Sequence, residues 1–118
     1  MNAESALEFA ERASSGAMGP DAKDALEQLE TRYDELLAAL ALFVDAGRAD
    51  EALRLANALY RFWITKQRFA DGAAWFDRAL ASPGGDALVR CRATLNAGFM
   101  PFWMGDDARA AELFGEAL

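Results

Sequence analysis

Hydrophobic residues recur at helical spacing over most of this chain, and most regularly between residues 48 and 83. Apolar side chains three and four positions apart share one face of a helix. The first such face holds Leu53, Ala56, Leu59, Tyr60, Trp63 and Ile64, and the second holds Phe69, Ala73, Phe76, Ala79 and Leu80. The polar segment 66–68 separates the two faces. The pattern therefore predicts two amphipathic helices that fold back on each other as a hairpin.

A second hairpin is predicted ahead of this one, over residues 3–46. A short helix over residues 3–14 ends at a Ser-Ser-Gly break, and Gly19-Pro20 opens a long helix that ends near Ala46. Along the long helix the apolar residues step alternately by three and four positions, which makes a heptad-like seam. The seam consists of Leu26, Leu29, Tyr33, Leu36, Leu40 and Phe43. Two interpretations stay open: the seam packs inside the chain, or it pairs with another copy.

The third predicted hairpin covers residues 86–118. Its first helix contains Pro101, which removes a backbone hydrogen bond and costs about 3 kcal/mol inside a helix, so we expect a kink or an early end there. The last helix begins at Asp106 or Asp107 and carries an apolar face of Ala110, Leu113, Phe114 and Ala117. We expect this face to lack a cover within the chain. Either the chain is then a piece of a longer protein, or a second copy covers the face.

Parts of the central hairpin recur in the third one. Tetratricopeptide repeats have a W-x2-L-G-x2-Y…A-x3-F…P spacing, in which small residues let the helices approach and large ones fill the gaps. At these positions the central copy has Ala56, Leu59, Tyr60, Trp63, Gly72, Phe76 and Pro83, and the next copy has Thr94, Ala97, Gly98, Pro101, Ala110 and Phe114. In the central copy Ala56 and Tyr60 depart from the pattern, and the other residues agree with it in size. The fold predicted for residues 1–118 is one all-α domain of about six helices. Its antiparallel helical hairpins stack as a short tetratricopeptide-like, right-handed superhelix.

The composition narrows the function classes. The 118 residues carry a net charge of −7, which argues against direct nucleic-acid binding because phosphate contacts need clustered positive charge. A protein or peptide partner is favoured instead. No stretch approaches the roughly 18 apolar residues of a membrane span, and the N-terminus lacks a signal-peptide pattern. The lone cysteine, Cys91, cannot form an internal disulfide, so the cytoplasm is the expected location.

Catalysis is not expected from this composition. The chain has no histidine, the commonest general base and a frequent metal ligand. Cys91 has no histidine to activate it, and we expect a buried structural thiol. The acids fall at the spacing of solvated helix faces; these are Glu4, Glu8, Glu11, Glu27, Glu30, Asp34 and Glu35. No catalytic, metal or cofactor site is therefore predicted.

An ordered series of features gives the chain a family resemblance. They are Gly19-Pro20 opening a long helix, Leu29-Glu30, the Asp34 to Leu40 run, the Leu53 to Trp63 helix, Trp75-Phe76 with Ala79-Leu80, and Gly105-Asp106 with Ala108-Arg109-Ala110. The chain from Phe9 onward resembles the tetratricopeptide-like region that follows the ATPase module in large bacterial transcription regulators. Those regulators carry LuxR-type or SARP-type DNA-binding domains and are common in actinobacteria.

The resemblance implies a sensor or scaffold rather than the whole regulator. The chain contains neither a phosphate-binding G-x-x-x-x-G-K-[ST] loop nor a basic helix-turn-helix pattern. ATP hydrolysis and DNA binding are therefore not carried over. What remains is a helical-repeat module that binds a protein or peptide and passes that event to attached modules.

In tetratricopeptide hairpins the first helix of each pair lines a concave groove. The spacing places there Arg54, Asn57, Arg61 and Ile64 from one repeat and Arg92, Leu95, Phe99, Phe102 and Trp103 from the next. Asn57 with Arg54 and Arg61 would hold a peptide backbone and a carboxylate. Phe99 and Phe102 would take an apolar side chain. Alternatively, Arg54 and Arg61 pair with Asp50 and Glu51 and the aromatic residues are core. A homodimer through Leu36, Leu113 and Phe114 is the other functional hypothesis.

Overall fold

A computed structural model describes residues 2–16 and 22–117, and over these residues the chain forms seven α-helices and no strand. The predicted all-α class, built from helical hairpins, is confirmed. The helices are α1 (Ala3–Gly16), α2 (Ala22–Thr31), α3 (Tyr33–Asp45), α4 (Ala49–Thr65), α5 (Phe69–Ala81), α6 (Ala87–Trp103) and α7 (Asp107–Ala117). The predicted Gly19-Pro20 helix start lies outside the described residues.

The long second helix of the sequence prediction is interrupted, which raises the helix count from about six to seven. Arg32, between α2 and α3, has φ −107° and ψ 16° rather than helical angles. Immediately before it, the Thr31 hydroxyl donates a hydrogen bond to the Glu27 carbonyl at 2.9 Å. A threonine that bonds back to the preceding turn competes with the backbone ladder and bends helices. The prediction of one helix ending near Ala46 was therefore wrong at this point.

The heptad-like seam packs inside the chain. Leu29, Leu36, Leu40 and Phe43 are fully buried, and Tyr33 is nearly so. The helices that cover them are α1 and α4. This burial supports the intramolecular interpretation of the seam.

Helices α1, α4 and α6 lie side by side in that order and run in the same direction. Arg48, at the start of α4, pairs with Glu4 at 2.8 Å, and Arg54 pairs with Glu11 at 2.6 Å. Residue numbers rise together along both helices, so α1 and α4 are parallel. Tyr60 and Asn57 of α4 meet residues of α6 in the same ascending order. The partner helices α3, α5 and α7 fold back on α1, α4 and α6 respectively.

A polar network inside the core joins α3, α4 and α5. Trp63 is fully buried and donates its indole N–H to the Tyr33 hydroxyl at 2.8 Å. That hydroxyl donates in turn to the Asp71 carboxylate at 3.2 Å. Burial raises the pKa of Tyr33 above its ordinary value. The Trp63 ring also meets the Phe76 ring edge to face, with centroids 5.5 Å apart, which closes the central hairpin.

Helix α6 does not end early at Pro101. It continues to Trp103, and the chain then turns at Gly105, whose φ of +83° suits a residue without a Cβ. The Asp106 N–H donates to the Pro101 carbonyl at 2.8 Å, which satisfies one of the carbonyls at the helix end. Pro101 lies in the last turn of α6, and the helix extends two residues past it. A kink at this residue stays a prediction.

The apolar face of α7 is covered, contrary to the expectation of an open face. Leu113 is buried, and the Phe114 ring lies on α6 against Gly98, where a Cβ would stand 2.6 Å from a ring carbon. Glycine at this position lets α7 approach α6 closely. The side chains that α7 leaves exposed are small or acidic: Asp107, Ala108, Ala111, Glu112 and Glu116.

Candidate functional site

Several residues predicted for the groove surround one cleft between α1, α4 and α6. The cleft has a volume of about 380 Å³. Its lining consists of Glu11, Ser14, Ser15, Arg54, Asn57, Ala58, Leu88, Val89 and Arg92. The parallel arrangement of the three helices brings Arg54, Asn57 and Arg92 together, although they lie on two different hairpins. We call this the α1–α4–α6 cleft.

Arg54 is already paired inside the cleft. Its Nε and Nη2 donate to the two carboxylate oxygens of Glu11 at 3.1 and 2.6 Å, a bidentate arrangement. Asp50 lies 4.0 Å from the same guanidinium. The hydrogen bond to Glu11 is the main cause that raises the pKa of Arg54. The alternative interpretation of Arg54 therefore holds in part: its partners are acids of this chain, chiefly Glu11 rather than Glu51.

Asn57 connects α4 to α6 rather than standing free. Its amide N–H donates to the Val89 carbonyl at 3.3 Å, and its carbonyl oxygen accepts from the Asn96 amide at 3.2 Å. The side chain is half-buried. Asn57 thus forms part of the cleft floor and fixes the spacing between the two helices.

Arg92 differs from Arg54 in its surroundings. Its side chain is exposed, and it makes no hydrogen bond or ion pair with the residues that the structure describes. Leu88, one turn before it on α6, is 70% exposed. A cation and an apolar side chain therefore stand together at the edge of the cleft, and both are available to a ligand.

The other predicted groove residues lie further along the same helices. Arg61 and Ile64 are half-buried on α4 and do not belong to the lining of the cleft. Phe99 is half-buried, with its ring centroid 5.1 Å from that of Phe114 and 6.2 Å from that of Tyr60. Phe99 thus belongs to the packing of α6, as the alternative interpretation has it.

Phe102 and its neighbour Trp103 are both exposed. The solvent-exposed fraction is 44% for Phe102 and 56% for Trp103. Together with Leu88 and Leu95 they give α6 an apolar outer face that no described helix covers. The sequence placed Leu95, Phe102 and Trp103 toward a ligand, and their exposure is consistent with that placement.

Of the three residues proposed for self-association, two lie in the core. Leu36 is fully buried between helices, and Leu113, on the inner side of α7, is only 2% exposed. Neither side chain is accessible to a second copy of this fold. Phe114 is half-buried against α6 and keeps some exposed surface.

The expectation of a buried cysteine was wrong. Cys91 is exposed, and its Sγ donates to the Ala117 carbonyl, at the end of α7, at 3.2 Å. Among the described residues, no group of three or more metal-binding side chains comes together. None of the described helices is both long and apolar enough to cross a bilayer.

Sequence reasoning missed the contribution of α1 to the cleft. Glu11 was assigned to a solvated acidic face, and Ser14 and Ser15 only to a helix break. The register between α1 and α4 decides which α1 side chains meet the cleft, and no local pattern carries that register. The complementary charges of Glu4 with Arg48 and Glu11 with Arg54, at nearly equal separations, are a signal that could have indicated it.

In comparisons with protein-family models, with curated proteins and with solved structures, nothing matches this chain.

Proposed function

We propose that this chain is a non-catalytic interaction module that binds a peptide or an extended segment of a protein in the α1–α4–α6 cleft. The observation that carries the proposal is the Arg92 guanidinium at the edge of a concave surface, where it pairs with no acid among the described residues. Ligand sites in proteins are typically concave, largely apolar and supplied with a few polar groups that fix orientation. The cleft is concave and has such polar groups, but its lining is more polar than that of a typical site: Ala58, Leu88 and Val89 are apolar, and the other six lining residues are polar or charged.

The chemistry of the cleft favours a ligand with a carboxylate next to an apolar side chain. Arg92 would hold the carboxylate by two parallel hydrogen bonds, as guanidinium groups do. The exposed Leu88 would pack against the neighbouring apolar group. Arg54 contributes less to this attraction because Glu11 already neutralises it. One carboxylate near Arg92 is therefore the expected feature of a bound peptide.

The biological setting belongs to the same proposal. The ordered features described above support a role as the sensor or regulatory repeat region of a bacterial transcription regulator. In that role, ligand binding in the cleft would be passed to attached modules through the stacked hairpins, with their right-handed superhelical arrangement. A cytoplasmic location fits the free thiol of Cys91, since exposed free cysteines are usual in a reducing compartment.

Selection from a displayed library of random peptides, followed by fluorescence anisotropy on the enriched sequences, tests this function. We expect enriched peptides to carry an acidic residue, and Arg92→Glu to weaken their binding at least about tenfold, since it replaces attraction by repulsion. Replacing the acidic residue of the peptide by its amide should remove most of that difference.

Arg12→Glu is the matched control, because Arg12 is an exposed arginine of α1 that does not line the cleft. It makes the same change in net charge, so it corrects for the long-range field of the protein. Equal affinity of Arg92→Glu and the unmodified chain for the enriched peptides would refute the cleft as the binding site. A library that yields no enriched peptide would count against the function itself.

A further inference from the structure

Three exposed apolar residues lie along one side of α6. Leu88, Leu95 and Phe102 are 70%, 41% and 44% exposed, and each is seven residues, or two helical turns, from the next. We call these three residues the α6 stripe. Helices α4, α5 and α7 pack on the other sides of α6 and leave the stripe bare.

The spacing of the α6 stripe makes it complementary to itself. In a symmetric dimer the same patch serves both copies, so residue i of one copy meets residue j of the other and the reverse. Leu95 stands midway between Leu88 and Phe102. Two antiparallel α6 helices related by a two-fold axis at Leu95 would therefore place Leu88 of each copy against Phe102 of the other.

The exposed area indicates how strong such a dimer would be. With large side chains of about 150–250 Å² each, the α6 stripe and the adjacent, 56% exposed Trp103 leave roughly 300–500 Å² bare. Two copies would bury roughly 600–1,000 Å² in total, which is the size of a weak, transient interface rather than of a stable one. A weak dimer, with a dissociation constant in the micromolar range or above, is the expected strength.

We propose that the occupant of the α6 stripe is a second copy of this chain, held by antiparallel packing of the two α6 helices about Leu95. This surface differs from the heptad-like seam and from the apolar face of α7, both of which lie against other helices of the chain. The inference does not rest on the proposed function, although both use Leu88 of α6. Peptide binding depends on Arg92 beside Leu88, whereas the dimer depends on Leu95 and Phe102.

The charge of the chain gives the dimer a particular salt dependence. Each copy carries a net charge of −7, so association brings like charges together. The stripe itself is apolar, so ion pairs are not its main source of attraction. Added salt screens the repulsion, and the dimer should therefore tighten as the ionic strength rises.

Sedimentation velocity over a concentration series, from micromolar to near-millimolar protein, tests the proposal. We expect a monomer–dimer equilibrium that Leu95→Glu weakens at least about 100-fold, since the substitution sets two like charges against each other at the two-fold axis. Leu42→Glu is the matched control, because Leu42 is 52% exposed on α3 and lies outside the stripe. Circular dichroism of both variants checks that the helices are intact.

Cysteine cross-linking tests the register separately. In a Cys91→Ser background, Leu95→Cys should form an intermolecular disulfide under mild oxidation faster than Leu42→Cys does. A monomer at every concentration, a dimer that Leu95→Glu leaves intact, or equal cross-linking at the two positions would each overturn the proposal. Loss of peptide binding in Leu95→Glu, with the unmodified chain monomeric, would instead assign the stripe to the peptide.

The two proposals fail separately. If the unmodified chain is monomeric but still binds enriched peptides through Arg92, only the dimer is refuted. If the chain dimerises through Leu95 but no peptide is selected, only the peptide-binding function is refuted.

Discussion

Removing one hydroxyl group from the core should destabilise the fold measurably. In Tyr33→Phe the ring keeps its volume, so no cavity forms, but the indole N–H of Trp63 loses its acceptor. Trp63 is fully buried, and an unsatisfied buried donor costs about 1–3 kcal/mol. Asp71, the other partner, is exposed, so water replaces the lost donor there at little cost. We therefore expect a loss of about 2 kcal/mol in the free energy of unfolding.

Urea unfolding followed by circular dichroism measures this loss, and thermal unfolding should show a melting temperature lower by about 8 °C, at roughly 4 °C per kcal/mol for a chain of this size. Tyr60→Phe is the matched control. Tyr60 is half-buried, and its hydroxyl makes no hydrogen bond in the described part of the chain, so its removal should change stability by less than about 0.5 kcal/mol. Equal effects of the two substitutions would refute the network as a source of stability.

Two further predictions concern ionisation and helix packing. Burial raises the pKa of Tyr33 in the folded state. The contribution of the Tyr33 hydroxyl to stability is therefore fully present below the usual tyrosine pKa of about 10 and is lost as the pH rises through the pKa of the folded state. Above about pH 10, the urea midpoint should fall less steeply with pH in Tyr33→Phe than in the unmodified chain. Gly98→Ala should cost about 1–3 kcal/mol, since its Cβ would meet the rigid Phe114 ring at 2.6 Å. Gly115→Ala, where no described atom lies within 4 Å of the Cβ, should stabilise α7 by up to about 1 kcal/mol; destabilisation by both substitutions in urea titrations would contradict the packing argument.

The positions of the helices could be predicted because their cause is local. Apolar residues at three-and-four spacing, with glycines such as Gly47 and Gly105 at positive φ after two of the helices, fix where each helix lies and ends. The break at Arg32 escaped prediction because the segment has neither glycine nor proline. The back-bonded Thr31 that accompanies the break is a common residue in uninterrupted helices, so its presence in a sequence is a weak signal.

For the apolar face of α7, the local sequence pattern was not sufficient to predict what covers the face. Sequence periodicity identified Leu113 and Phe114 as one face, but it did not say what lies against that face. The answer depends on Gly98, which lies in the preceding helix and brings the two backbones close. A glycine inside a helix pattern is therefore more informative when a large aromatic residue follows in the next helix, because the pair indicates close helix packing.

In the candidate site, too, the sequence pattern indicated which helix face a side chain occupies but not which charges surround it. Periodicity predicted that Arg54 and Arg92 face one groove, and both line the α1–α4–α6 cleft, yet their electrostatic surroundings differ. Helix α1 lies beside α4 and supplies Glu11 to Arg54, whereas the exposed side of α6 has no such neighbour among the described helices. The same lack of a neighbour leaves Leu95 bare. One structural circumstance thus accounts for both the unpaired cation and the apolar stripe, which is why both proposed interactions involve α6.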